Sequence, residues 1–400
     1  MSPARAFDVE ELLDTASVIV CCGAGGVGKT TTSAALALRA AERGRRVCVL
    51  TIDPARRLAQ SMGLTELDNT PREVVGVGTD NGGSLDAMML DMKRTFDDIV
   101  LAHADPQRAQ QILANPFYVS LSSSFAGTQE YMAMEKLGQL RREGTWDLIV
   151  VDTPPSRSAL DFLDAPQRLG RFLDGRMIRM LLAPAKAGGR GVMKVFTVGF
   201  NVFTNVMTRV LGGEALKDLS LFVASLETMF GGFRERAEQT YRLLKEPGTA
   251  FVVVAVPERD ALREAAYFVE RLAEERMPLA AMVLNRVHTS AAPTLSVERS
   301  VAAAESLEES GESALTAAVL RIHADRLATA GRDRHLAERF AAAHPSVPVV
   351  QVAAQASDVH DLEGLRLIGT ELANGPDASA PVEAGAGGRQ RSAGRARRTG

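Results

Sequence analysis

The apolar run Ser17–Cys22 breaks into Gly23-Ala24-Gly25-Gly26-Val27-Gly28-Lys29-Thr30 and then into TTTSAALALRAAERG, a string of strong helix formers stopping at Gly44. A buried strand that turns at once into a helix through a glycine-dense loop leaves few folds open. The same order recurs along the chain. Val- and Ile-rich runs at Arg46–Thr51, Asp86–Leu90, Asp147–Asp152, Thr249–Val256, Leu279–Asn285 and Val347–Val352 alternate with longer helical patterns. That alternation predicts a mostly parallel sheet with crossover helices, and the near-continuous hydrophobicity of the runs predicts strands covered on both faces.

From about Lys93 to Lys245 the alternation lapses into Met-, Phe- and Leu-rich helical sequence, apart from the run near 147–152. The reading is an α/β core formed by residues 1–92, 146–160 and 247–374, with helical insertions at 93–145 and 161–246. A helix-rich stretch, Pro293–Ala343, precedes the last strand–helix pair. Residues 375–400 hold Arg389, Arg391, Arg395, Arg397 and Arg398 and few large apolar side chains, so they form a disordered basic tail.

The net charge of −3 is spread along the chain, which argues against nucleic acid as the partner of the whole protein. Three cysteines in strand-like runs, with no CxxC and no metal-ligand spacing, fit a reducing cytoplasm. The N-terminus carries acidic residues and no apolar stretch of secretory type. Val195–Gly212, the longest candidate span, is broken by Asn201, Asn205 and Arg209, so no transmembrane segment is expected.

Residues 23–30 match G-x-x-x-x-G-K-[ST] between a strand and a helix, the context a phosphate-binding loop requires. There the backbone N–H groups of Gly23, Ala24, Gly25, Gly26, Val27 and Gly28 would surround phosphate oxygens. Lys29 would reach the β and γ phosphates, Thr30 would ligate Mg²⁺, and Thr31 would lie beside the nucleotide. Asp53 in LTIDPARRL ends the second strand, where it either orients an attacking water or shapes the turn before Pro54. WDLIVVDTPPS ends four apolar residues in Asp152, which would hold Mg²⁺ through water or else cap the following turn.

Together these pieces resemble the P-loop ATPases with a deviant Walker A motif. Within them the chain is similar to the family of the arsenical-pump ATPase ArsA and the tail-anchored-protein targeting ATPases of the guided-entry pathway, in a single-P-loop bacterial form. GAGGVGKTTTSAALAL, LTIDPARRLAQSMG, VVDTPPSRSALDFLDAP, VVAVPERDALREAAYFVERL, MVLNRV and VPVVQVAAQASDVHDLEGLRLIG carry the likeness, in family order over about residues 16–370. The resemblance implies a P-loop NTPase fold with a helical insertion subdomain, ATP and Mg²⁺ as ligands, and ATP hydrolysis that opens and closes a dimer. It implies that Asp53 positions the hydrolytic water and shares the metal site through water, and that Asp152 serves the magnesium. It also implies that Asn285 reads adenine while the loop at Val256-Pro257-Glu258 covers the base.

Three departures qualify that picture. The signature lysine of the motif is Ala24 here. Arg56, Arg57 or Arg157 replaces its charge, a paralogous partner retains it, or turnover is slow. No cysteine lies in the helical region, so a metalloid site of soft thiolates is not expected. One P-loop rather than two means that the second half of the assembly is another chain, a copy or a paralogue.

In the helical region Leu216, Leu219, Val223, Leu226 and Phe230 form one stripe and Met177, Met180 and Leu181 a shorter one. Phe222, Met229 and Phe233 lie off the first, where they pack the insertion or face a hydrophobic client. His323 and His335 read as solvated helix residues. Two other functions stay open: a nucleotide-gated chaperone or regulatory subunit with little turnover, and a MinD/ParA-like positioning ATPase. Ala24 and the large insertion count against the latter, as does the lack of an amphipathic membrane-targeting C-terminus.

Overall fold

The computed structural model describes residues 7–52, 57–64, 66–78, 81–116, 118–119, 128–154, 235–236, 238–290, 292 and 294–375. The strands are β1 (Val18–Gly23), β2 (Arg46–Thr51), β3 (Arg72–Glu73), β4 (Ser84–Met89), β5 (Leu148–Asp152), β6 (Thr249–Ala255), β7 (Leu279–Val287) and β8 (Val349–Ala353). The described helices are α1 (Val9–Thr15), α2 (Lys29–Glu42), α3 (Arg57–Ser61), α4 (Met92–His103), α5 (Pro106–Leu113) and α6 (Thr128–Glu143). They continue with α7 (Arg259–Glu274), α8 (Val297–Ser310), α9 (Ala314–Ala343) and α10 (Leu362–Asn374).

The eight strands form one sheet in the order β3-β4-β2-β5-β1-β6-β7-β8, parallel except for β3 at one edge. Every residue of β1, β5 and β6 is buried, as expected of central strands covered on both faces. Their side chains alternate between two cores. Val18, Val20 and Cys22 join helices α4–α7 and α9 on one face, while Ile19 and Cys21 join α1, α2 and α10 on the other. Helices on both faces of a mostly parallel sheet make this the α/β fold of a P-loop NTPase.

Element by element, the apolar runs become strands whose ends shift by at most two residues. The last strand starts at Val349 rather than Val347, because Pro348 has no N–H for the ladder and instead lends its carbonyl to Met282 N. The helix read from Thr30 ends at Glu42, and Gly44 takes φ +99° beyond it. The antiparallel β3 is an addition, since two polar residues leave no period to detect. The stretch 293–343 resolves into a helical hairpin, α8 and α9.

The topology sets the site. The chain leaves β1 for β2, two positions away, returns through β5 between them, and continues to β6 on the other side. Ligands of open α/β sheets gather outside the carboxyl ends of the strands at such a reversal, which here is the end of β1.

Candidate functional site

β1 delivers the chain to Gly23, where a Cβ would stand 2.1 Å from the Val254 carbonyl oxygen of β6. Only glycine lets the loop leave the sheet so close to the neighbouring strand. Gly26 and Gly28 take φ of +75° and +95°, and α2 begins at Lys29 with no side-chain cap on its first turn. The first N–H groups of α2, with their partial positive charge, thus suit an anion. Ala24 is half-buried, Gly25 and Gly26 are exposed, Val27 is buried and Thr31 is half-buried beside them. Lys29 Nζ donates across the loop to the Ala24 carbonyl at 2.7 Å, which holds the loop closed around its own cation.

One strand away, Asp152 ends β5 fully buried. Its Oδ2 accepts hydrogen bonds from Thr30 Oγ1 at 2.8 Å and Thr51 Oγ1 at 3.0 Å. Thr153 donates its N–H and its hydroxyl to the Cys21 carbonyl at 3.3 and 2.8 Å, locking the ends of β5 and β1 together. A threonine hydroxyl beside a carboxylate, at the mouth of an anion cradle, is the hard-oxygen donor set that suits Mg²⁺. The residues present therefore fit the metal. Thiol chemistry does not belong here. Burial, reinforced by the charge of Asp152, pushes Cys21 up to about 12 despite the Ser33 hydrogen bond and the Lys29 charge, and burial raises Cys22 and Cys48 as well.

Asn285, 258 residues along the chain from Val27, reaches the same loop. Its Nδ2 donates to the Val27 carbonyl at 2.9 Å, its Oδ1 accepts from Arg286 N at 2.9 Å, and its amide fills the space a Cβ on Gly28 would need. A register shift in β7 between Leu284 and Val287, with Arg286 at φ +58°, aims it there. Pro257 is half-buried beyond β6, in a turn closed by Glu258 N to the Val256 carbonyl at 2.7 Å.

The structure thus gathers Gly23 to Thr31, Asp152, Pro257 and Asn285 at one end of the sheet. Asp53, Arg56, Arg157, the side chain of Arg57 and the stripes between 177 and 233 lie outside the described residues. One contributor escaped the sequence reading, Thr51, which ends β2 beside residues that were read, and that adjacency was the available signal.

A protein-family model described as anion-transporting ATPase, ArsA ATPase, matches residues 16–294, more than half of the chain. The chain belongs to the ArsA ATPase family. ATPase GET3 of Malassezia globosa is 28% identical over 283 residues, covering 70% of this chain and 76% of that one. ATPase get3 of Schizosaccharomyces pombe is 27% identical over 282 residues, with the same shares of 70% and 76%. ATPase ARSA2 of Chlamydomonas reinhardtii is 28% identical over 280 residues, 66% of each chain. As a member of this family the chain is a nucleotide-binding ATPase. No helix among the described residues is long and apolar enough to cross a membrane.

Proposed function

We propose that this chain hydrolyses ATP to ADP and phosphate with Mg²⁺, and that the cycle opens and closes a dimer with a second copy or a paralogue. The observation that carries this reading is the Thr30–Asp152–Thr51 hydrogen-bonded group beside the Lys29 loop. In it, the loop amides from Gly23 to Gly28 and the N-terminus of α2 bind and orient the phosphates, with Thr31 beside them. Lys29 exchanges the Ala24 carbonyl for β and γ oxygens. Thr30 and Asp152 would hold the metal, which would supply charge neutralisation to the phosphates. Asp53 orients the attacking water and takes its proton. Pro257 and Asn285 border the adenine.

By its likeness to proteins named GET3, the chain serves protein targeting, chaperoning or transport in the cytoplasm. In this reading the core comprises residues 1–92, 146–160 and 247–374, with insertions at 93–145 and 161–246, and the helical subdomain 161–246 meets a hydrophobic client. The three cysteines lie buried in β1 and β2, outside the helical region 161–246, which supports a cycle without metalloid activation. Ala24 favours one second reading, a nucleotide-gated subunit with little turnover, because a methyl group cannot supply a cation to the partner's phosphates.

Phosphate release by the assembled protein tests both. Asp53→Asn is expected to lower the rate by about 100-fold or more while ATP still binds. An unchanged rate removes Asp53 from the mechanism. A wild-type chain that binds ATP but releases no phosphate, alone or with a paralogue, leaves the gated subunit.

A further inference from the structure

β7 does not end as a regular strand. Met282 and Leu284 face the core shared with α9, and Val283 faces the core of α2. Strict alternation would send Val287 to the α2 side, yet it lies with Met282 and Leu284. Arg286 is the inserted residue: the pairing with β8 shifts between Leu284 and Val287, and Arg286 stands exposed at φ +58°. That left-handed conformation is unfavourable for any residue with a Cβ, so the surroundings must hold the bulge in place.

Two grips flank it. On the α2 side is Asn285, whose Oδ1 accepts from Arg286 N on the bulge and whose Nδ2 donates to the Val27 carbonyl of the P-loop. On the α9 side is His288, the second residue past the bulge. One carboxylate oxygen, Asp333 Oδ2 on α9, accepts from both its backbone N–H and its ring Nδ1, at 3.0 and 2.8 Å. A carboxylate oxygen only accepts, so Nδ1 carries the proton. Asp333 is 5% exposed, whereas His288 is open to solvent, so the fixed end of the tie is the helix. Arg326 Nε, one helical face along, donates to the Thr289 carbonyl at 3.0 Å, and Ala354 N donates to the Val287 carbonyl at 2.9 Å. Residues 287–289 are thus held by α9 and by the chain leaving β8.

We propose that Asp333 and His288 are a positioning pair for the nucleotide: they hold the chain just past Arg286, and so keep the bulge formed and Asn285 on the P-loop. Neither needs to touch the ligand. Asp333 acts through His288, and His288 acts through the backbone of Arg286 and Val287. With the tie lost, Arg286 relaxes toward ordinary strand geometry. Its N–H then turns away from Asn285 Oδ1, and the amide leaves the place it fills beside Gly28. Asp333 lies beyond residues 16–294, the region that the family model matches. The inference rests on the reading that Asn285 borders the adenine.

The test is equilibrium titration of the full chain with ATP and with GTP, each with Mg²⁺. Asp333→Ala and His288→Ala are each expected to weaken ATP binding by about 10-fold and GTP binding by less, so the preference for ATP falls. His288→Asn, whose side-chain N–H can stand where Nδ1 does, restores it. Glu308→Gln, which breaks the pair with Arg321 on α9 without touching β7, leaves both affinities unchanged. The deciding comparison is made in Asn285→Ala. There Asp333→Ala is expected to cost no further ATP affinity, while its effect on thermal unfolding persists. Should Asp333→Ala fail to fold, His288→Ala, at an exposed position, carries the same comparison. Wild-type ATP affinity in Asp333→Ala and His288→Ala, or losses that multiply with that of Asn285→Ala, overturn the pair and spare the reading of Asn285. Unchanged ATP affinity in Asn285→Ala itself overturns that reading and the pair with it.

Discussion

Gly28→Ala tests how tightly the P-loop and the end of β7 are fitted together. At φ +95° an alanine carries a conformational cost of about 1–2 kcal/mol. Its Cβ would stand 2.2 Å from Asn285 Nδ2, so the buried amide must leave and the Val27 carbonyl loses its partner, costing about 1–3 kcal/mol more. The single variant is therefore expected to lose about 2–5 kcal/mol, and Asn285→Ala about 1–3 kcal/mol. In the double variant the hydrogen bond is lost only once and the collision is gone. Its loss should stay near about 2–5 kcal/mol rather than the sum of the two, a coupling of about 1–3 kcal/mol. Urea unfolding at fixed pH measures all four proteins, and a fluorescent ATP analogue reports whether affinity falls with loop geometry. Losses that add to within about 0.5 kcal/mol would refute the wedge between Asn285 and Gly28.

Asp152→Asn is expected to make ATP affinity insensitive to magnesium and to lower phosphate release by about 10-fold or more, read from titrations with and without the metal. Cys21, Cys22 and Cys48 should all resist a thiol reagent at pH 8 in the folded protein and all react in urea, because burial both covers them and suppresses their thiolates. Asp147 is held at about 2 rather than 3.8, first by the hydrogen bond from the Arg46 side chain and then by Arg46 N. A lowered folded value stabilises above the unfolded one, so the contribution is whole above about pH 4 and fades as pH falls through about 2. The pair is half-exposed, so the wild-type advantage over Asp147→Asn should be under about 1 kcal/mol at pH 6 and vanish near pH 2 in urea unfolding.

The parts of this fold that were legible are those written in contiguous residues. β1, its glycine loop and α2 occupy one stretch, and an apolar run ending in Asp152 announces a strand tip by itself. Cys21, Cys22 and Cys48 lie buried because the strands that hold them do. What escaped depends on distance or on brevity. Nothing local to Asn285 says that its amide fills the place of a side chain on Gly28, since the two meet only through strand order and a bulge at Arg286. Thr51 closes its own strand, yet its hydroxyl matters only because β5 lies beside β2. β3 is too short for any pattern. His323 read as a solvated helix residue, but it is half-buried and its Nε2 faces the Leu295 carbonyl at 3.2 Å, because α9 folds back along the segment leading into α8. His335 is exposed, as read.

The central claim, a triphosphate and its metal held by the loop around Lys29, is tested most directly by calorimetric titration of the full chain with ATP, with and without Mg²⁺. The account predicts binding that magnesium strengthens and that Lys29→Ala weakens by about 100-fold, as loss of a charge-assisted phosphate contact entails. Equal affinity in the wild type and Lys29→Ala, or binding indifferent to magnesium, would contradict it.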